Sequence, residues 1–306
     1  SDDYPTIEPS LRLDFANARA LDSRITFTRA SVATYVGRDR LIKTAGEDEA
    51  RFDHDPATGE SLGLLIEDSR TNLLPQSQQY TSTYWNDLST LPTGWTTTAG
   101  PAPDGTNTVT TWNSGNQIYE ANVSYSVGPQ YTASVFVKDM TGGGGSVRLG
   151  PDHVTDYVGG DPRVTFQPST QSFTTVGSGV QGYGYYEYPN GWYRVWFKYT
   201  LSVSDNIFNI VQLGAYNIGI WGAQIEQGSF PTSYIPTSGS TATRAQDEGN
   251  ITGSAFSSFF NTTEGVLQTE FSRIGNVNNQ MVVQFKDSDG SERIEIRGQG
   301  SGDNTF

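Results

Sequence analysis

Apolar residues recur along this chain at every second position. In Tyr131–Lys138, Tyr131, Ala133, Val135 and Val137 fall on one side, opposite Thr132, Ser134, Phe136 and Lys138. In Trp192–Leu201, Tyr193, Val195, Phe197, Tyr199 and Leu201 form an apolar row, opposite Trp192, Arg194, Trp196 and Lys198. In Ile218–Glu226, Trp221, Ala223 and Ile225 share a face. Successive side chains of a strand point to opposite faces of its sheet, so each pattern predicts a strand with one face toward a core. Helical spacing is nearly absent; the best helix candidate, Ser254–Phe260, is short. Turn-forming residues separate the strands. Pro189-Asn190-Gly191 puts a glycine suited to positive φ directly before a strand. Asp104-Gly105 and Asp289-Gly290 are hairpin-like dipeptides, and Gly142–Gly145 makes a flexible tip.

Short strands with turn signals at roughly ten-residue intervals predict an all-β fold built on a jelly-roll β-sandwich. The expected divisions are an N-terminal anchoring region at 1–71, with strands at Ile25–Arg29 and Leu62–Glu67, and the sandwich at 72–236. Pro231, Pro236 and the Ser/Thr/Gly run Thr237–Thr243 read as the start of a linker, 237–249. A second, partial β unit then begins at 250–306, with strands at Val266–Phe271, Met281–Phe285 and Arg293–Arg297. Three or four strands bury too little to stand alone. The expectation is that the natural chain continues, or that other chains complete this unit.

Composition narrows the classes of function. Aromatics are 12% of the 306 residues, too many for a disordered chain, and with Gly 34 they suit strands and turns. Lys+Arg 19 against Asp+Glu 33 gives a formal net charge of −14, which repels phosphate backbones and argues against a nucleic-acid partner. No apolar run is long enough to span a bilayer, so membrane insertion is not expected. Cys is absent, which removes disulfide frameworks, thiolate metal sites and cysteine nucleophiles.

An ordered set of short motifs carries a family likeness. It opens with Leu13-Asp14-Phe15-Ala16, Arg24-Ile25-Thr26-Phe27-Thr28-Arg29-Ala30-Ser31 and Ala33-Thr34-Tyr35-Val36. It continues through Leu41-Ile42-Lys43-Thr44-Ala45, Arg51-Phe52-Asp53, Gly59–Glu67 and Arg70-Thr71-Asn72-Leu73-Leu74. It ends with Trp221–Glu226, Pro231–Thr237 and Thr243-Arg244-Ala245. This succession resembles the opening module of bacteriophage virion appendage and tail-fibre proteins, in which a carbohydrate-binding-like jelly roll follows the N-terminal region. Asn261-Thr262-Thr263-Glu264-Gly265 is similar to the start of a concanavalin-like or laminin-G-like lectin domain. The resemblance implies a virion structural protein, made in the host cytoplasm and exposed on the particle. It also implies other virion proteins as partners, a homotrimer, and host surface polysaccharide as a candidate ligand.

Candidate chemistry is sparse. Gly59-Glu60-Ser61-Leu62-Gly63 fits the G-x-S-x-G nucleophile elbow, which needs a strand before the serine and a helix after it. Here the turn Asp53-His54-Asp55-Pro56 precedes it and an apolar strand follows, so no catalytic residue is assigned. His54 and His153 lack the close spacing of a zinc motif, and no metal residue is assigned. The softer metal reading is a structural calcium at Asp152, Asp156 and Asp161. Asp287-Ser288-Asp289-Gly290 lacks the spacing and closing Glu of an EF-hand and reads as a hairpin turn. No other cofactor is expected. Glycoside hydrolysis needs two carboxylates flanking a bond; Asp139, Asp156, Glu187 and Glu226 lie on or near strands, where solvated strand ends are the preferred reading.

The best binding signal is the row Trp192, Arg194, Trp196 and Lys198. Aromatic planes stack on the C–H faces of sugar rings, and Arg and Lys donate to hydroxyls or acids. The competing reading is that this face packs on the N-terminal region or a neighbouring subunit. Tyr183, Tyr185, Tyr186 and Tyr188, with Gly182 and Gly184 between them, form a second aromatic cluster that reads as a loop adaptable to partners or folded over the sandwich edge. The first expectation is a non-enzymatic fibre, tail or head appendage that touches host glycans. A polysaccharide depolymerase and a purely architectural decoration protein are the alternatives.

Overall fold

In the computed structural model of the chain, the described residues are 8–78, 80, 84–87, 95–96, 100–112, 117–124, 126–151, 162–201, 207–214, 217–272, 280–286 and 293–298. They form an all-β protein. The first part of the chain contributes α1 (Phe15–Ala18), β1 (Thr26–Thr28), β2 (Ala33–Val36), β3 (Ile42–Ala45), β4 (Arg51–His54), β5 (Ser61–Leu65) and β6 (Arg70–Asn72). Next come β7 (Trp85–Asp87), β8 (Trp95–Thr96), β9 (Thr110–Trp112), β10 (Gln117–Asn122), β11 (Gln130–Asp139) and β12 (Ser146–Pro151). They are followed by β13 (Arg163–Gln167), β14 (Ser172–Val176), β15 (Val180–Tyr188), β16 (Trp192–Thr200), β17 (Ile207–Leu213) and β18 (Ile218–Gln227). The last elements are β19 (Ala242–Arg244), β20 (Glu248–Asn250), α2 (Gly253–Ser257), β21 (Gln280–Lys286) and β22 (Arg293–Gly298). The chain divides into two compact units, Ser1–Thr263 and Glu264–Phe306.

The first unit is built on two six-stranded sheets, ordered β14-β13-β12-β17-β10-β7 and β15-β16-β11-β18-β9-β8. Their pairings are antiparallel, and the chain crosses between sheets from β7 to β8, β9 to β10, β10 to β11, β11 to β12, β14 to β15, β16 to β17 and β17 to β18. The core between the sheets takes Tyr131, Ala133, Val135 and Val137 from β11 and Val195, Phe197 and Tyr199 from β16, with Tyr193 packed at its margin. The facing sheet supplies Val147, Leu149, Val164, Phe166, Phe208 and Ile210. The rows from β11 and β16 are those that the alternation of the sequence predicts.

Strand β18 departs from that alternation. Gln224 pairs with Ser134 and Trp221 with Phe136, so Gly222 and Ala223 together stand opposite Val135. Gly222 has φ +62°, a conformation that costs an L side chain about 1–2 kcal/mol. This bulge switches the faces: Ile218, Ile220, Ala223 and Ile225 point into the core, while Trp221 points out of the other side. The expectation that Trp221 shares a face with Ala223 and Ile225 is therefore corrected, because an extra residue in one strand re-aims its neighbour.

The outer face of the second sheet is also covered. Phe136, Tyr188, Trp192, Trp221 and Tyr234 form a second cluster with Val36, Ile42, Ala102 and Val109. Phe136 sits at its centre, with the rings of Tyr188, Trp221 and Tyr234 at 5.0, 5.3 and 6.1 Å in edge-on contact. The N-terminal region thus packs on the sandwich. The segment 237–249, expected as a linker, is part of the same body: β19 pairs with β6, and β20 with β1. The Tyr-rich stretch expected as a loop is the edge strand β15. The predicted strand Val266–Phe271 does not form, and Val266 is exposed. In the second unit β21 and β22 pair as an antiparallel hairpin.

Candidate functional site

The four residues of the expected glycan row lie along β16 on the outer face of the second sheet, but they meet different surroundings. Trp192 is 2% exposed, belongs to the second apolar cluster and donates its indole N–H to the Pro101 carbonyl. Arg194 is 5% exposed; Nη1 donates to the Thr232 carbonyl at 2.7 Å, Nη2 to Ser134 Oγ at 3.1 Å, and the guanidinium stacks on Phe136. These two side chains are closed to a ligand. Trp196 and Lys198 are half-buried.

The cross-strand partners explain how the latter two lie. Gly182 stands opposite Lys198, Gly184 opposite Trp196 and Tyr186 opposite Arg194. A Cβ on Gly184 would come within 2.9 Å of Trp196 Cζ2 and 3.2 Å of its Nε1. A Cβ on Gly182 would come within 2.7 Å of Lys198 Cε. Two missing side chains on the edge strand let the indole and the lysine stem lie down across β15 instead of standing off the sheet. Tyr186, exposed on the same face, stands next along the strand. Neither Trp196 nor Lys198 has a polar partner among the described residues. The result is a platform of Tyr186, Trp196 and Lys198 on a glycine floor.

On the opposite face of β15 the tyrosines close the end of the sandwich. Tyr183 and Tyr185 pack on Phe173, and Tyr185 meets Tyr193 edge-on. Gln171, at the β13–β14 turn, accepts from the Tyr185 hydroxyl and donates to the Tyr193 hydroxyl. That cluster holds the two edge strands β14 and β15 together.

The candidate acids separate. Asp139 closes the glycine tip, accepting from the N–H groups of Thr141, Gly142 and Gly144. Burial opposes its ionisation, but those N–H donors outweigh it and hold its pKa below the usual carboxylate range. Glu226 is buried and accepts from the N–H and hydroxyl of Thr232 and from Gln224 Nε2. Burial pushes its pKa up. Asp139 ends β11 and Glu226 pairs with Thr132 near the start, so roughly 20 Å of strand separates them, against about 5–10 Å for a glycosidase pair. Glu187 is exposed on β15. Asp152, Asp156, Asp161, His153 and the Asp287-Ser288-Asp289-Gly290 turn lie outside the described residues. Among the described residues no group of His, Asp and Glu could hold a metal ion.

Ser61 begins β5 directly opposite His54 on β4, yet its Oγ is buried without a hydrogen-bond partner, and a strand follows it. His54 Nδ1 lies 3.1 Å from the Val36 carbonyl, so Nδ1 carries the proton, and its buried Nε2 also lacks a partner. The elbow geometry of strand, serine and helix is not present here.

A buried ionic network was not legible as such in the sequence. Arg29, Arg51 and Arg244 are all 1% exposed or less. Arg51 donates to Glu67 at 2.7 Å, to Ser233 Oγ, to the Thr34 carbonyl and to Asp247. Arg29 reaches Asp247 at 3.1 Å, and Arg244 lies 3.3 Å from Glu67. Glu67 accepts from the Ser233 N–H and hydroxyl. Burial opposes ionisation of Glu67, and Arg244 and Arg51 reverse this and pull its pKa down. The network fastens the N-terminal strands to the segment after the sandwich. No protein-family model matches the chain, and no curated protein sequence matches it.

Proposed function

We propose that this chain is a structural protein of a bacteriophage virion, a fibre, tail or head appendage, whose sandwich adheres to host surface polysaccharide through the platform of Trp196, Lys198 and Tyr186. One observation carries the adhesive part of the reading: the indole of Trp196 lies across Gly184, leaving a flat aromatic surface beside a lysine with no counter-ion among the described residues. Stacking on such a ring is worth on the order of 1 kcal/mol per contact. Repeated copies on one particle raise weak sites by roughly 10²–10⁴ in avidity. The resemblance of the motifs supports the virion setting, the neighbouring virion proteins as partners and a homotrimer.

The test decouples binding from folding. Gly184→Thr puts a Cβ under the indole but improves strand propensity at an edge. Both Gly184→Thr and Trp196→Ala are expected to abolish attachment to host cells or extracted polysaccharide, with Gly184→Thr melting within about 1 kcal/mol of the parent. Unchanged attachment in both variants overturns the platform. Sedimentation tests the trimer: a stable monomer at micromolar concentration contradicts it. Release of reducing sugar from the same polysaccharide would favour the depolymerase instead.

A further inference from the structure

A second surface feature lies away from the platform, a cleft lined by residues of the N-terminal region. The cleft has a volume of about 1050 Å³ and lies between the β2–β3 hairpin, β4 and the residues after α1. Its aromatic walls are Tyr35 and Phe52, both half-buried. Its cations are Arg19, Arg38 and Lys43, in a protein whose formal net charge is −14.

The charges do not cancel within the cleft. Lys43 pairs with Asp39 at 2.6 Å, and its stem lies over Gly37, where a Cβ would meet Lys43 Cγ at 2.9 Å. Glu49 is occupied as acceptor for the Gly46 N–H at 2.7 Å. Arg19 and Arg38 have no hydrogen bond or ion pair from their side chains to any described residue. His54 also lines the cleft, 4% exposed. Its Nδ1–H is committed to the Val36 carbonyl, so in the neutral ring Nε2 is an acceptor, and that acceptor has no partner. The combination is two guanidinium forks unpaired among the described residues and two aromatic rings, beside a buried imidazole.

We propose that this cleft binds a sugar carrying a carboxylate, such as a uronic acid residue of a polysaccharide. The planar fork of an arginine matches a carboxylate by two parallel hydrogen bonds. Tyr35 and Phe52 offer apolar surface to the ring. Asp39 and Glu49 at the cleft weigh against a doubly charged phosphate, so a singly charged acid is the better fit. This site is separate from the Trp196 platform and does not depend on it.

The experiment uses the whole chain titrated with sodium glucuronate, with glucose, sodium acetate and inorganic phosphate as comparison probes, followed by nuclear magnetic resonance or calorimetry. Glucuronate is expected to bind saturably in the millimolar range. Glucose and acetate, each carrying half of the recognised chemistry, are expected to bind at least about tenfold more weakly. Arg38→Ala and Arg19→Ala, both at exposed side chains, are expected to keep the melting temperature and to weaken glucuronate about tenfold each. Trp196→Ala is expected to leave glucuronate binding unchanged, which separates this site from the platform. Equal binding of glucose, stronger binding of phosphate, no saturable binding, or indifference to both arginine variants would overturn the proposal.

Discussion

Asp53 shows how one side chain can work against the protein that holds it. Burial raises its pKa to about 6, and Glu67 adds to this, while the N–H groups of Val36 and His54 and the charge of Arg51 oppose it. A carboxyl raised in the folded state binds its proton more tightly there than in the unfolded chain. Stability therefore falls as pH rises from about 4 to about 6, and the whole cost, at most about 3 kcal/mol, is present above that window. Asp53→Asn keeps an acceptor for the Val36 N–H and removes the titration. Chemical denaturation between pH 4 and 7 is expected to show a flatter profile for the variant, which is the more stable form at pH 7. Glu67 pulls the other way, since its lowered pKa gives stability that is lost in acid. Little of this was legible beforehand. A single Asp in Arg51-Phe52-Asp53 looks like any strand acid, and its burial comes from neighbours outside that segment. The platform was half legible: alternation found Trp196 and Lys198, but could not tell them from Trp192 and Arg194. What divides the row is how far the N-terminal region and the Thr232 segment reach along the sheet.

At the scale of elements, β11 and β16 were readable because an unbroken strand has a strict period of two. Strand β18 was not, since a glycine in Trp221-Gly222-Ala223 carries no mark of a bulge. Gly222→Ala tests that reading. An added Cβ meets Phe136 Cδ2 at 2.9 Å in a backbone of positive φ, so the variant is expected to lose about 2–4 kcal/mol. Thermal melting and the near-ultraviolet signal of Trp221 would report it. Gly239→Ala, also at positive φ but with open space around it, is expected to lose only about 1–2 kcal/mol. Equal losses would mean that backbone conformation alone decides the cost at Gly222. The edge strand β15 escaped recognition for a related reason: Gly182 and Gly184 resemble loop residues until the two side chains lying over them are seen.

For the whole molecule, the N-terminal region and the sandwich are expected to unfold as one. The central strands β11 and β18 are buried on both faces, and the outer cover is supplied by Val36, Ile42 and their neighbours. The ionic network joins the same parts. Removing one partner of a buried charge cluster strands the others, at a cost of about 3–5 kcal/mol. Glu67→Ala should therefore lower the melting temperature in a single transition and increase hydrogen exchange in β11 as well as in β2. Exchange confined to the N-terminal strands would mean that the two parts are only loosely coupled. Arg29, Arg51, Glu67, Ser233 and Arg244 of this network all fall within the ordered short motifs of the sequence.

That arrangement also bears on how the chain is made. Asp247 bonds Arg29 and the Glu67 N–H, residues that precede it by 218 and 180 positions. A ribosome releases Arg29, Arg51 and Glu67 first, and Arg244 and Asp247 last. At roughly 5–20 residues per second, the lag between Glu67 and Asp247 is about 10–40 s, given a separation of 180 residues. During that interval Arg29, just after β1, and Arg51, on β4, lack their shared acid Asp247. A translation pause that leaves Asp247 inside the exit tunnel after β18 has emerged would hold the sandwich strands outside the ribosome with the clasp open, the stage at which chaperones and proteases have their best access to it.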